Sequence, residues 1–227
     1  MTYIHFFRKP FFLAIGFCML LFACQNDPKV PETVQNTDPD TIQYRAVSAE
    51  GADTFLIKEG SVHWFGKKSL GDGHQGTIKV VGGMLLVNNG AIAHGTARID
   101  MGSIAVEDIK DAGERNDLES HLKSEDFFGV QKFPEAVFTI GEVLPSNNAA
   151  FNWLVVGDLN MKGKSNPVNI PVKMEVNGDK LVANSPTFPI NRTQWDVNFR
   201  SGILGTAKDK LIDDNILLSL ELEARKK

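Results

Sequence analysis

The sequence predicts an all-β fold, an extended antiparallel barrel of about eight strands covered by one helix. Apolar and polar residues alternate along several long segments. This period of two is typical of strands with one buried face. Clusters of glycine, asparagine and proline separate the segments, as in hairpin turns. Long strands joined mainly by hairpins favour a closed barrel over a short-stranded sandwich, and a barrel of this size holds one small ligand.

Residues 1–23 are predicted to form a lipoprotein signal peptide. Arg8 and Lys9 precede an apolar run over 11–23 that is too short for a comfortable membrane span. The run ends in Leu21-Phe22-Ala23-Cys24, which resembles a bacterial lipobox, although Phe22 is bulkier than usual. The alternatives are a plain signal peptide or a short anchor helix. The lipobox interpretation implies export and a lipid anchor on Cys24 that holds the protein on a membrane.

Two further segments are predicted after the signal peptide. Residues 24–42 are polar and contain three prolines, which is typical of a flexible tether. Residues 43–227 form the predicted β-barrel domain. Gln25 directly after Cys24 suggests the outer membrane, so we expect a cell-envelope lipoprotein that faces the periplasm or the surface.

Charge and cysteine content argue against several classes of function. The formal net charge is -4, whereas general nucleic-acid binding needs a basic face. The only cysteines are Cys18 and Cys24, so the predicted domain has no disulfide, no cysteine ligand and no cysteine nucleophile.

Alternation in the first half of the domain predicts strands over 54–58 and 62–67, separated by a turn at Gly60-Ser61. It also predicts strands over 74–81 and 84–87, separated by a tight turn at Gly82-Gly83. Asn89-Gly90 then suits a type I′ hairpin. The inner side of the next strand, 91–101, carries small residues, and we expect them to leave room inside the barrel. They are Ala91, Ala93, Gly95 and Ala97.

One helix is predicted, over 114–123. Leu118 and Leu122 are four residues apart and are expected to pin it to the sheet. Ser124 is expected to cap a second, single turn. Phe127 and Phe128 in that turn either gate a cavity or pack against the helix.

Strands resume over 136–143. A long hairpin follows over 151–176, with Trp153, Val155 and Gly157 on its inner face and a polar turn over 162–167. Asn177-Gly178 predicts another hairpin turn, into a strand over 180–183. The last predicted strand covers 215–224.

Five sequence blocks, taken in order, resemble the YceI-like family. Each block is weak alone, but together they span about 55–224. The blocks are 62–67 with 74–76, 100–104, 121–138, 157–172 and 188–195. The resemblance implies a lipocalin-like barrel with a covering helix and a long apolar cavity. It also implies export and binding of a long-chain amphiphile, typically a polyisoprenoid or a fatty-acid derivative. The family often has an aromatic residue followed by glycine where this sequence has Trp195-Asp196. This difference affects the expected shape of the loop after Arg192 and not the expected fold.

The inner faces and the family blocks together predict the ligand-binding residues. These are Trp64, His74, Ala93, Ala97, Phe127, Phe138, Trp153, Val155, Arg192 and Trp195. Arg192 beside an aromatic residue could pair with a phosphate or carboxylate head group. Its alternatives are a structural salt bridge or a cation–π stack on Trp195. Trp64 and His74 either line the pocket or lock the early hairpin.

No metal site, cofactor or catalytic site is predicted. The histidines after residue 24 (His63, His74, His94 and His121) lack the spacing of a zinc motif, and G-x-S-x-G is absent. The expected partners are a lipid or isoprenoid and the membrane, with a homodimer left open. One alternative is a ligand-free structural or stress-protective surface module. Another is an enzyme that acts on a lipid head group through Asp100, Glu142 or Asp158.

Overall fold

The computed structural model describes residues 48–69, 71–205, 207 and 210–227. The predicted signal peptide (1–23), Cys24 and the tether (24–42) lie outside these residues. Within them, no helix combines the length and the apolar character needed to cross a membrane.

Eight antiparallel strands close into a barrel, which confirms the predicted fold class. Neighbours follow the order β1-β2-β3-β4-β5-β6-β7-β9, and β9 pairs back onto β1. A ninth strand, β8, pairs with β9, and one α-helix, α1 (Ala112–Lys123), follows β3. The strands are β1 (Asp53–Lys67), β2 (Gly73–Asn88), β3 (Ala91–Val106), β4 (Glu135–Pro145), β5 (Trp153–Met161), β6 (Lys164–Asn177), β7 (Lys180–Asn184), β8 (Phe188–Asn191) and β9 (Asn215–Lys226).

β7 and β8 together occupy one edge of β9. β7 pairs with its second half and β8 with its first half. Only 173–177 of β6 pair with β7, so the first half of β6 faces β8 and the 3-10 helix Arg192–Trp195 across a seam. Asn166 Nδ2 donates to Gln194 O across this seam at 2.9 Å. Pro167 and Pro171 lie in this half of β6, where a strand edge without a paired neighbour tolerates proline.

The turns predicted at Gly60-Ser61 and Gly82-Gly83 are wrong. Glycine allows close packing of neighbouring strands at these positions, and the chain does not reverse direction. β1 runs through Gly60, where a Cβ would lie 2.8 Å from Glu221 O of β9. β2 runs through Gly82-Gly83, where the register with β3 shifts. Gly83 has φ 141°, and a Cβ on it would lie 2.1 Å from Thr96 O. The shift is a β-bulge, which bends a strand without ending it.

The hairpin turn between β2 and β3 behaves as its type I′ signal predicts. Asn89 and Gly90 have φ 51° and 77°. Between β5 and β6, the turn is shorter than predicted and consists of Lys162 and Gly163, with φ 51° and 75°. Positive φ at both central residues is what this turn requires.

The helix α1 begins after Asp111, whose carboxylate accepts a hydrogen bond from Glu114 N at 2.9 Å. It ends at Lys123. Ser124 Oγ donates back to His121 O at 2.8 Å, so Ser124 ends this helix. The predicted single turn does start at Ser124, whose carbonyl accepts a hydrogen bond from Phe127 N at 3.1 Å, but the Ser124 side chain does not cap it. Leu122 packs against the barrel core as predicted.

The small inner residues do not leave the expected room. A Cβ at Gly157 would lie 2.6 Å from the Phe138 ring, and one at Gly95 would lie 2.8 Å from the Leu85 side chain. A register shift after Leu86 places Ile92 in the core in place of Ala93. The end of the barrel around the β2–β3 turn is therefore solid.

Gly157→Ala should destabilise the fold, because the added methyl must displace the Phe138 ring and approaches Thr139 O within 2.4 Å. We expect a loss of about 2 kcal/mol in the free energy of unfolding, measured by denaturant titration.

Gly141→Ala on the neighbouring strand is the matched control. Its Cβ would meet only Val156 O, at 3.5 Å, so we expect a change within about 0.5 kcal/mol. Equal effects of the two substitutions would contradict the solid packing at Gly157.

Candidate functional site

A cavity of about 310 Å³ lies at the end of the barrel that carries α1. Its walls come from the end of β1, the start of β2, the second half of β3, the end of β5 and the start of β9. Most wall residues are apolar, among them Val62, Ile78, Ile99, Met101, Ile104, Leu159, Met161, Ile190, Ile216 and Leu218. The barrel is thus solid at one end and hollow at the other.

Aromatic rings form a roof over the cavity. Phe127 follows α1, and Phe199 lies in the loop between β8 and β9; their ring centroids are 5.1 Å apart. His121 contacts both rings edge-on, at 5.0 Å from Phe127 and 4.7 Å from Phe199. Its Nε2 lies 3.1 Å from Asp126 Oδ2. We call Phe127, Phe128, Phe199 and His121 the roof cluster.

Lys162, in the β5–β6 turn, holds the roof in place. Its ammonium donates to the carbonyls of Glu125 at 3.3 Å, Asp196 at 3.1 Å, and Phe127. An ammonium group has three N–H donors, so all of them are used on backbone oxygens. The sequence predicts only a polar turn at this position. The residues next to Lys162 in the sequence do not indicate which distant carbonyls its ammonium group binds.

Arg192 is buried, with 2% of its surface exposed, and it organises the loop that leads to β9. Its guanidinium donates to the carbonyls of Asp213 and Ile212, each at 3.0 Å, to the carbonyl of Val197, and to Asp214 Oδ1 at 3.2 Å. Burial lowers the pKa of this guanidinium, and the Asp214 and Asp213 carboxylates oppose that shift. The structural ion pair considered for Arg192 is therefore present. Four of its five N–H groups are engaged, and its head-group role stays a prediction.

Trp195 is fully buried and fills the seam beside β6. Its Nε1 donates to Leu159 O at 2.9 Å. Asp196 directly after it has φ 56° and ψ 27°. This left-handed conformation favours glycine but is tolerated by aspartate. The residue that departs from the family pattern thus adopts a backbone conformation that is also open to glycine.

His74 joins the cavity rim to the end of β3. Its Nδ1 lies 2.9 Å from Asp108 Oδ2, while Gln75 N donates to Asp108 Oδ1 at 3.0 Å. Partial burial raises the pKa of the Asp108 carboxyl. The hydrogen bonds from Gln75 and His74 outweigh that effect and hold the pKa below its ordinary value.

The structure brings only some of the predicted site residues to the cavity. Trp64, His74, Phe127 and Arg192 line it. The others lie elsewhere: Ala97, Phe138, Trp153 and Val155 pack in or against the core, Ala93 lies at the β3 bulge, and Trp195 lies in the seam. The binding role of each of the ten residues stays a prediction.

Sequence reasoning missed several cavity residues that lie on the inner faces of their strands. Ile78, Leu159 and Leu218 alternate in the same way as the core residues of their strands. The period of two indicates the inner face, but it does not indicate whether a void lies there. Phe199 and Arg200, in an irregular loop, carried no signal at all.

Comparison with known proteins identifies relatives. The YceI-like domain family matches residues 57–224. A UPF0312 protein of Yersinia enterocolitica is 33% identical over 102 residues, which cover 45% of this chain and 44% of that protein. A UPF0312 protein of Staphylococcus aureus is 32% identical over 91 residues, which cover 37% of this chain and 49% of that protein. The chain thus spans less than half the length of these curated relatives.

Two solved structures share the fold. BcnA of Burkholderia cenocepacia superposes with a TM-score of 0.51 at 19% identity, covering 72% of this chain and 95% of that one. A polyisoprenoid-binding domain of Saccharophagus degradans, implicated in plant cell wall breakdown, has a TM-score of 0.52 at 9% identity, covering 78% of this chain and 99% of that one. At these identities the likeness concerns the fold.

Arg192→Met should strongly destabilise the protein, because it leaves three carbonyls and the Asp214 carboxylate without their donor. We expect a loss of about 3 kcal/mol or more in the free energy of unfolding, measured by denaturant titration.

Arg98→Met is the matched control. The Arg98 side chain is 54% exposed, and its ion pair with Glu135 is 3.4 Å long, so its loss should cost less than about 1 kcal/mol. An Arg192 variant as stable as the Arg98 variant would show that the guanidinium does not support the loop.

Proposed function

Because the chain belongs to the YceI-like family, we propose that its barrel binds a long-chain amphiphile, a polyisoprenoid or a fatty-acid derivative, in the cavity beside α1. The observation that carries the proposal is the apolar cavity of about 310 Å³. The Saccharophagus degradans domain of the same fold is described as polyisoprenoid-binding, which supports this choice of ligand class.

The cavity suits part of an apolar chain. Its volume lies at the lower end of the range of about 300–1,000 Å³ found for ligand sites. Each square ångström of apolar surface removed from water contributes about 25 cal/mol. The solid end limits how deep a chain enters, so a long ligand has to extend through the mouth or displace the roof cluster.

The polar ends of such ligands fit at the rim. Lys67, Lys68 and Arg200 line the mouth together with Asp72 and Asp213. A ligand therefore enters with its apolar end first and keeps its head group at the rim, where water and charged side chains solvate it. The proposed role is binding. His74 and His121 are each hydrogen-bonded to a carboxylate, Asp108 and Asp126.

Ile78→Trp should fill the cavity and abolish binding. We expect native mass spectrometry of segment 43–227, purified from a bacterial host, to show a stoichiometric adduct that extracts into organic solvent. Ile78 lines the cavity, so the added indole should reduce the occupancy of that adduct at least about tenfold.

Lys79→Trp, on the exposed outer side of the same strand, is the control and should keep the adduct. An unmodified protein that carries no adduct and takes up no added isoprenoid or fatty acid would favour the ligand-free surface module.

We also propose that the protein is exported and anchored in the cell envelope through acylated Cys24, with the lipobox-like segment as support. Metabolic labelling with a radioactive fatty acid should label the wild-type protein. Cys24→Ala should lose the label, whereas Cys18→Ala should keep it. Labelling of the Cys24 variant would disprove the anchor site.

A further inference from the structure

We propose that the cavity mouth docks onto an anionic lipid bilayer, with Ile203 and Leu204 inserted among the head groups. This inference rests on the proposed function, because docking would let a chain pass between bilayer and cavity without crossing water. It adds a membrane-contact surface, separate from the N-terminal anchor and from the cavity walls.

Ile203 and Leu204 are the most exposed large apolar side chains in the described part of the chain. They are 64% and 65% exposed, whereas Val81, Met84 and Leu217 are 44%, 42% and 38% exposed. Because they are adjacent, they form one apolar patch, and an apolar patch rimmed by polar residues marks interaction sites.

The local structure holds this apolar tip outward. Ile203 and Leu204 belong to the 3-10 helix Gly202–Leu204. Ser201 beneath them is fully buried, and its Oγ accepts a hydrogen bond from Ile203 N at 3.3 Å. Gly205 ends the helix with φ 69°. The exposure is therefore part of a capped turn.

The tip lies at the mouth of the cavity. Phe199 and Arg200, just before it in the chain, line the cavity. Arg200 O accepts a hydrogen bond from Ile212 N at 2.9 Å, and Lys67 O accepts one from Asp213 N at 2.9 Å. These bonds join the base of the tip to the end of β1. A bilayer that meets the tip therefore also meets the rim.

The rim beside the tip is basic, although the chain is acidic overall, at -4. Lys67, Lys68, Arg200 and Lys210 are exposed there, and none forms an ion pair with another described residue. Of the rim carboxylates, Asp214 pairs with Arg192, Asp213 Oδ1 accepts a hydrogen bond from Asn215 N at 3.0 Å, and Asp72 is exposed. Apolar side chains among lysines and arginines are typical of surfaces that bind anionic lipids.

The helix α1 sets the orientation. It exposes Glu114 and Asp117, which anionic lipids repel. We therefore expect a tilted arrangement, with the tip in the head groups and α1 in water.

Site-specific fluorescence in vesicles tests this arrangement. Full-length protein with Cys18→Ser and Cys24→Ser receives one cysteine for a polarity-sensitive dye, as Ile203→Cys, as Asn116→Cys on α1, or as Asn147→Cys between β4 and β5. All three residues are exposed. The proteins are reconstituted in vesicles of phosphatidylglycerol and phosphatidylethanolamine that contain a spin-labelled lipid.

We expect the dye at 203 to shift to shorter wavelength and to be quenched several-fold more than the dyes at 116 and 147. The difference should shrink in phosphatidylcholine vesicles. Equal quenching at all three sites would overturn the proposal. So would energy transfer between dyes at 203 on two copies without lipid quenching, since a second copy would then cover the tip.

A double variant separates this inference from ligand binding. Ile203→Ser with Leu204→Ser should keep the bound adduct in native mass spectrometry, because neither side chain lines the cavity. It should slow transfer of a fluorescent fatty acid from vesicles to protein about tenfold. Unchanged transfer would overturn docking and leave the binding function intact. Absence of the adduct from the wild-type protein, with the dye at 203 still quenched by lipid, would overturn the binding function and leave the membrane contact.

Discussion

Pairing of the last strand with the first is the constraint on which the rest of the structure depends. β9 hydrogen-bonds to β1 along one edge and to β7 and β8 along the other, so it closes the sheet. A closed sheet has an inside, and each inner face must either pack or border a void. Because β7 and β8 share one edge of β9, the first half of β6 lacks a paired strand on its outer edge among the described residues. Trp195 and Arg192 lie where this gap meets the mouth.

The barrel divides its interior into two parts with different roles. At the solid end, the Phe138 ring occupies the space over Gly157, so side-chain packing adds to the hydrogen bonds between the strands there. At the hollow end, hydrogen bonds from Lys162 and Arg192 to backbone carbonyls hold the loops. A cavity lowers the stability of the fold. Tight packing at one end of the barrel therefore offsets the cost of the cavity at the other end.

The sequence predicts the strands well and the cavity poorly, for one physical reason. Alternation shows that Val155 and Leu159 face inward on β5, but only Leu159 borders the cavity. The difference depends on the side chains that other strands place at the same level along the barrel axis. The sequence of a single strand does not indicate those side chains. Gly60 and Gly83 indicate turns in the sequence but lie within strands, because glycine permits close approach of strands as readily as it permits chain reversal. The family resemblance located Arg192, yet its carbonyl partners come from a loop with no periodicity.

Lys162 and Arg192 hold the mouth through main-chain oxygens, which every residue type possesses. A frame of this kind does not depend on which side chains the roof and rim display. Substitutions at Phe128, Phe199 or Arg200 could therefore accumulate during evolution without collapse of the opening. One scaffold could in this way come to accept ligands with different ends, because the two cations preserve the aperture while the residues around it diversify.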